Sequence, residues 1–218
     1  MTQQGPYHQG VTLAGGAPFT RKMLDSALCL APHPVAADGG ADALMRFGVV
    51  PELVIGDMDS LHGALPPDTR ILPITEQDST DFGKCLAHLE APFIIGVGFL
   101  GERLDHTLAA LSVLLEYGDH AIVLLGERDV AFVAPPHWSM TVEPGTRVSF
   151  YPLLPSLGIA SSGLRWPIEG LSMTAGGQIG TSNEAAEPQI SAQFSPRGIV
   201  TILPAQYLAE AVRSITRS

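Results

Sequence analysis

The first part of the chain alternates short, continuous apolar runs with segments in which apolar residues recur every three or four positions. Continuous runs of four or five such residues are typical of strands buried on both faces, and the longer spacing is typical of helices. Strands are predicted at residues 11–14, 34–37, 53–56, 71–74, 93–97, 121–125 and 129–133, with helices at about 20–28, 44–47, 82–89 and 108–115. This alternation predicts an α/β domain with a parallel sheet.

The pattern changes after Pro135 and Pro136. Four short β-type runs follow at residues 147–153, 163–168, 189–194 and 199–203, separated by Gly, Pro, Ser and Asn, and only residues 205–216 have helical spacing. Such a pattern is typical of an antiparallel sandwich or barrel. We therefore expect two domains, residues 1–134 and residues 135–218.

The most informative stretch is residues 53–61, in which a buried strand ends at Gly56 and is followed by Asp57 and Asp59. Ligands of open α/β sheets bind beyond the carboxyl ends of the strands. Two neighbouring carboxylates repel each other unless a cation or proton lies between them, and Mg²⁺ prefers oxygen ligands. The stretch indicates a magnesium site, although two such acids could instead cap a turn or face solvent.

Three further segments place polar groups after predicted strands. Asp38 precedes two glycines, and Asp81 falls in the first turn of a helix capped by residue 78, 79 or 80, with Lys84 one turn later. Arg103 offers a planar fork for phosphate oxygens, and Asp105 could cap a helix or handle a proton. Each segment alone also fits an ordinary helix start or surface pair.

Composition narrows the functional classes. The 218 residues are 45% hydrophobic and 16% charged, which excludes a disordered chain. The net charge of −10 argues against a nucleic-acid surface, and the apolar run at 93–100 is too short to cross a membrane. The first residues lack the pattern of a secretory signal, and Cys29 and Cys85 are expected to be buried reduced thiols, so we expect a cytoplasmic protein.

The segments together resemble the thiamine pyrophosphokinase family. The ordered motifs are residues 37–41 (ADGGA), 55–60 (IGDMDS), 77–82 (QDSTDF), 103–107 (RLDHT), 163–166 (GLRW) and 181–183 (TSN). The resemblance implies an N-terminal Rossmann-like α/β domain that binds nucleotide and a C-terminal β-sandwich that binds thiamine. It further implies a homodimer with active sites between subunits, and transfer of pyrophosphate from ATP to the thiamine hydroxyl, giving thiamine diphosphate and AMP.

The resemblance also assigns roles by matching position. It implies that magnesium is bound by Asp57, Asp59 and Asp81, and that the nucleotide is contacted by Asp38, Gly39, Gly40, Gln77, Thr80, Lys84 and Arg103. On the thiamine side it implies Asp105, Ser182 and Asn183. Two departures from the family pattern are Glu102, where a glycine is usual, and Met58, where an aromatic residue is usual. The helical pattern at the C-terminus is also unexpected for the family.

The chemistry of the reaction agrees with these residues. Phosphoryl transfer needs alignment and charge neutralisation, which Arg103, Lys84 and magnesium ligands can supply. The hydroxyl proton could pass to Asp81 or Asp105, and Asp105 is preferred because a metal-bound carboxylate is a poor base. Trp166 could attract cationic thiamine or fill the sandwich core. Alternative hypotheses are an Asp-x-Asp phosphatase and a nucleotide-sensing regulator without turnover.

Overall fold

The computed structural model describes residues 6–216, and the chain divides into two compact units. Unit 1 comprises residues up to 113 together with 124–127, and unit 2 comprises residues 114–123 and those from 128 onward. The first five residues, which belong to the stretch expected to lack a secretory signal, lie outside the described range. No helix in residues 6–216 is both long and apolar enough to cross a bilayer.

Unit 1 contains a parallel sheet and the helices that connect its strands. Its strands are β1 (Val11–Ala14), β2 (His33–Ala37), β3 (Leu53–Gly56), β4 (Arg70–Pro73) and β5 (Ile94–Val97), and β6 (Ile122–Leu125) crosses the division. Its helices are α1 (Arg21–Leu30), α2 (Gly40–Arg46), α3 (Asp81–His88) and most of α4 (Leu104–Glu116). The strand order is β5-β1-β2-β3-β4, all parallel, and β6 lies beside β5.

Local sequence accounts for the helix ends in this unit. Thr20 and Thr80 accept hydrogen bonds from the amides of Met23 and Gly83 and so cap α1 and α3. Gly48 follows α2 with φ of +73°, which glycine adopts at little cost. The predicted α/β architecture is confirmed.

Unit 2 is a sandwich of two antiparallel sheets. Its strands are β7 (Asp129–Val133), β8 (His137–Thr141), β9 (Arg147–Pro152), β10 (Ser156–Ser162), β11 (Ser172–Met173), β12 (Gly180–Glu184), β13 (Gln189–Ser195) and β14 (Ile199–Pro204). One sheet has the order β12-β9-β14-β7 and the other β11-β10-β13-β8. Trp138 lies 6.0 Å from Phe132 and 5.9 Å from Phe150 between ring centroids, so aromatic rings from both sheets fill the core. The chain continues through a 3₁₀ turn (Ala205–Tyr207) into α5 (Leu208–Thr216).

Two local expectations are wrong. Residues 163–168 form no strand, because Gly163 with φ of +67° interrupts the extended backbone and Leu164 makes only an isolated bridge to Ala185. Cys29 is exposed rather than buried, although both cysteines are free as expected. The buried face of α1 is formed by Met23, Leu24 and Ala27, and Cys29 lies outside it.

Candidate active site

Carboxylates that follow neighbouring strands meet at one rim of the parallel sheet in unit 1. Asp38 comes directly after β2 and Asp57 directly after β3, and the Asp38 amide donates to the Ile55 carbonyl at 2.9 Å. Asp38, Asp57 and Asp59 each offer one carboxylate oxygen, and these three atoms lie within 4.8 Å of one another. We call this group, together with Gln77, Asp81 and Lys84, the rim cluster.

Asp38 is the buried member of the rim cluster. Its side chain accepts a hydrogen bond from the Ser60 amide through Oδ2 at 3.2 Å, whereas Oδ1 is buried and has no hydrogen-bond partner within residues 6–216. Burial raises the pKa of Asp38, and the negative charges of Asp81 and Asp57 act in the same direction. An unpartnered buried oxygen beside two other carboxylates fits a divalent cation, and the all-oxygen donor set suits Mg²⁺.

Asp57 is held ionised by its neighbours. The Gln77 amide group donates to Oδ2 at 2.8 Å, and the backbone amide of Asp59 donates to Oδ1 at 3.2 Å. The hydrogen bond from Gln77 is the main cause that lowers the pKa of Asp57, followed by the one from Asp59. Gln77, predicted as a nucleotide contact, therefore orients a predicted metal ligand.

Lys84 links two acids of the rim cluster from a buried position. Its side chain is only 3% exposed, and Nζ lies 3.2 Å from Asp81 Oδ1 and 3.6 Å from Asp57 Oδ2. Burial acts to lower the pKa of Lys84, but the hydrogen bond to Asp81 and the attraction of the acids outweigh it and the pKa is raised. Asp81, predicted as the third magnesium ligand, is thus paired with Lys84. The third acid grouped with Asp57 and Asp59 is Asp38 instead.

Glu76 helps to form the turn before α3, a role that the sequence interpretation missed. Its carboxylate accepts the amides of Asp78 and Ser79 at 2.7 and 3.1 Å and also contacts the Ser79 hydroxyl. These bonds fix the turn that leads to the Thr80 cap and Asp81. An acid placed two residues before a run of polar helix-start residues is a signal for such a turn.

Arg103 and Asp105 form an exposed ion pair at the start of α4. The guanidinium donates to both carboxylate oxygens, at 3.2 and 2.6 Å, and the side chains are 62% and 65% exposed. Arg103 is the main cause that lowers the pKa of Asp105. We call these two residues the α4 pair.

Unusual backbone conformations fall within the predicted motifs or directly beside one. In residues 6–216 four non-glycine residues have clearly positive φ: Asp38 (41°), Met58 (69°), Glu102 (45°) and Ser182 (62°). Such conformations cost energy and cluster at functional sites. Gly40 has a separate requirement, because a Cβ there would lie 2.1 Å from the Ala14 carbonyl oxygen, while a Cβ at Gly39 would lie 3.2 Å from the Ser60 oxygen.

In unit 2 two of the predicted thiamine-side residues, Trp166 and Asn183, form a hydrogen-bonded group. Asn183 is buried, its Oδ1 accepts the amides of Trp166 and Glu184, and its Nδ2 donates to the Trp166 carbonyl at 2.7 Å. Trp166 is 51% exposed, so Trp138 rather than Trp166 fills the sandwich core. The guanidinium carbon of Arg165 lies 4.8 Å from the Trp166 ring centroid, within the range of a cation–π contact. Ser182 is exposed and donates its amide to the Ser149 hydroxyl at 3.0 Å.

Family models match both parts of the chain. The model described as thiamin pyrophosphokinase, catalytic domain, matches residues 26–125, and the one described as thiamin pyrophosphokinase, vitamin B1 binding domain, matches residues 139–195. These two segments contain the rim cluster and the Trp166–Asn183 group, respectively.

Curated relatives agree with these matches. The chain is 30% identical over 196 residues to thiamine pyrophosphokinase 1 of Arabidopsis thaliana, covering 73% of each chain. It is 27% identical over 192 residues to thiamin pyrophosphokinase 1 of Caenorhabditis elegans, covering 79% of each.

Solved structures share the fold. Thiamin pyrophosphokinase from Geobacillus thermodenitrificans has a TM-score of 0.74 at 24% identity, over 89% of this chain and 96% of that one. Yeast thiamin pyrophosphokinase has a TM-score of 0.74 at 16% identity, over 97% and 90%. With two family models spanning most of the sequence and a relative at 30% identity, the chain belongs to the thiamin pyrophosphokinase family.

Proposed function

We propose that the chain transfers pyrophosphate from ATP to the hydroxyl of thiamine, giving thiamine diphosphate and AMP. The observation that carries this proposal is the rim cluster, in which three carboxylates meet beside a buried lysine within the part of the chain that the catalytic-domain model matches. Family membership supports both substrates.

The rim cluster is proposed to receive the polyphosphate with its cation. Asp57, Asp59 and Asp38 would hold Mg²⁺. Asp81, which is paired with Lys84, is proposed as a further acid on the magnesium side of the site. When bound, Mg²⁺ neutralises the charge of the polyphosphate. Lys84 would then stabilise the charge that builds up on the leaving group, because its buried ammonium is already fixed in place.

The remaining nucleotide contacts are proposed from matching motif positions. Thr80 lies at the start of α3, and Gln77 donates to Asp57. Gly39 is partly exposed next to Asp38, and Gly40 lets α2 begin close to the Ala14 backbone. Residues 1–134 are proposed as the nucleotide-binding domain and residues 135–218 as the thiamine-binding domain. The ranges of the two family models support that division.

The α4 pair is proposed to act at the reacting atoms. Asp105 would accept the proton of the thiamine hydroxyl, and Arg103 would bind phosphate oxygens. Phosphate and Asp105 compete for the same guanidinium. A bound polyphosphate that draws Arg103 away would raise the pKa of Asp105 and make it a better base.

Thiamine itself is proposed to lie against Trp166, with Ser182 close by. Asn183 would hold the segment that carries Trp166 against the strand that carries Ser182. Thiamine is cationic, and the exposed Trp166 ring already has the Arg165 guanidinium within cation–π range. Replacing Trp166 with Ala should raise the KM for thiamine about tenfold and leave the KM for ATP unchanged. Equal changes in both constants would contradict this role.

We also propose a cytoplasmic homodimer with active sites between subunits. Leu104 and Leu108 lie one turn apart on α4 and are 72% and 53% exposed, beside Arg103 and Asp105. Two exposed leucines on one helix face favour burial against another surface. Light scattering should give twice the chain mass for the wild type and a smaller mass for Leu104→Ser/Leu108→Ser. The free thiols of Cys29 and Cys85 support a reducing compartment.

One assay tests the reaction. Purified protein is incubated with ATP, Mg²⁺ and thiamine, and the products are separated by chromatography. Equal amounts of AMP and thiamine diphosphate are expected. ADP with a thiamine monophosphate, free phosphate from an Asp-x-Asp phosphatase, or binding without turnover would overturn the proposal.

A further inference from the structure

Asp42 connects helix α2 to the loop that carries two acids of the rim cluster. Its Oδ2 accepts the backbone amide of His62 at 2.8 Å, and its Oδ1 accepts that of Gly63 at 2.9 Å. The His62 ring nitrogen Nδ1 also lies 3.4 Å from Oδ2. Both carboxylate oxygens are therefore engaged with one short segment of backbone.

The loop in question comprises residues 57–63, directly after β3, and contains Asp57 and Asp59. The middle of the loop is fixed by a 3.2 Å hydrogen bond from the Ser60 amide to Asp38, and its end is fixed by the hydrogen bonds to Asp42. The approach to α2 is close, because a Cβ on Gly63 would lie 2.9 Å from Asp42 Oδ1. Asp59 and Ser60 are exposed, so packing contributes little to their placement and hydrogen bonds must define it.

The bonds to Asp42 are of a strong kind. The hydrogen bond from the His62 amide is the main cause that lowers the pKa of Asp42, and the one from the Gly63 amide adds to it. The carboxylate is therefore ionised at neutral pH. Hydrogen bonds to an ionised acceptor are shorter and stronger than those between neutral groups. The side chain is only 24% exposed, which limits competition from water.

We propose that Asp42 is a positioning residue that holds the loop of residues 57–63 so that Asp57 and Asp59 face Asp38 at the spacing a divalent cation needs. The proposal rests on the proposed function of the rim cluster. Asp42 itself does not touch the cation or the substrate. Its loss spreads the acids and weakens cation binding, as the loss of groups that orient metal ligands does in other proteins.

The experiment compares the wild type with Asp42→Ala, Asp42→Asn and the control Asp25→Asn. Asp25 forms an exposed pair with Arg21 on α1, so its change alters one surface acid elsewhere. Mn²⁺ binding is measured without nucleotide by electron paramagnetic resonance of the free ion. Hydrogen exchange of residues 57–63 and the Mg²⁺ dependence of turnover are measured on the same samples.

Asp42→Ala should raise the Kd for Mn²⁺ and the Mg²⁺ concentration for half-maximal turnover about tenfold, with faster exchange in residues 57–63. The value of kcat at saturating Mg²⁺ should change less than threefold. Asp42→Asn, which keeps one acceptor oxygen, should fall between Ala and the wild type, and Asp25→Asn should match the wild type.

Two results would overturn the proposal. One is wild-type Mn²⁺ affinity in Asp42→Ala. The other is weaker affinity without faster exchange in residues 57–63, which would mean that Asp42 acts only through its charge. Failure of the proposed reaction is seen separately, as a wild-type protein that binds Mn²⁺ but forms no thiamine diphosphate.

Discussion

The rim cluster and the α4 pair are both built from oppositely charged side chains, yet they differ in burial and support. In the rim cluster Lys84 is 3% exposed and Asp57 has a partner on each oxygen. In the α4 pair both side chains are more than 60% exposed and bind chiefly to each other. Buried, hydrogen-bonded charges keep their geometry before a ligand arrives, whereas an exposed pair contributes little to stability and can rearrange. The difference suggests a fixed cation site and an adaptable phosphate and proton site.

The strongest test of the fixed site is Asp57→Asn. We expect turnover to fall by about a thousandfold, because an amide is a much weaker cation ligand than a carboxylate. Folding should persist, since the asparagine oxygen can still accept from either Gln77 or the Asp59 amide, and the side chain keeps its size. Product formation and circular dichroism measure the two effects. Loss of the folded state would show that Asp57 is structural.

Lys84→Met separates the two regions most clearly. The change removes a buried charge shared by Asp57 and Asp81, so turnover should fall about a hundredfold and the free energy of unfolding by about 2 kcal/mol. Chemical denaturation measures the stability change. An unchanged free energy of unfolding would mean that the rim cluster is no more fixed than the α4 pair.

Arg103→Gln is the matching change in the α4 pair. Turnover should fall about thirtyfold because a phosphate contact is lost, while the free energy of unfolding should change by less than about 0.5 kcal/mol. Because Arg103 lowers the pKa of Asp105, its removal should move the acidic limb of kcat/KM to higher pH. A pH profile with an unmoved acidic limb would exclude Asp105 as the base.

Asp38→Asn tests burial at the cation site, and in the absence of a cation it should increase stability. Burial raises the pKa of Asp38, so its ionised form costs stability above that pKa. Without divalent cations, the neutral variant should be more stable by about 1 kcal/mol at pH 7. The gain should shrink as the pH falls through the raised pKa, where the wild-type carboxyl is neutral as well. A constant or reversed difference across pH would contradict the burial argument.

Much of the rim could be predicted because it follows from chain order. Asp38 and Asp57 directly follow strands that prove to be neighbours, and parallel strands bring their carboxyl ends to one rim. The unpartnered oxygen of Asp38 could not be predicted, because its burial depends on the folded chain around it. The same limit applies to Gln77, whose partner Asp57 lies 20 residues away in the sequence.

The β-rich unit was predicted less completely. The runs at 147–153 and 199–203 correspond to β9 and β14, because each is rich in β-branched or aromatic residues. The run at 189–194 corresponds to β13, because Ile190, Ala192 and Phe194 alternate with polar residues. Strands β10 and β12 are rich in Ser, Gly, Thr and Asn and carry little apolar signal. They form through pairing with β13 and β9, which local sequence does not reveal.

The most direct test of the central claim is to locate the cation. Crystals of the wild-type protein grown with Mn²⁺ should give an anomalous diffraction peak within bonding distance of carboxylate oxygens from Asp57 and Asp59, facing Asp38. A peak elsewhere, or no peak at a Mn²⁺ concentration that saturates turnover, would contradict the account.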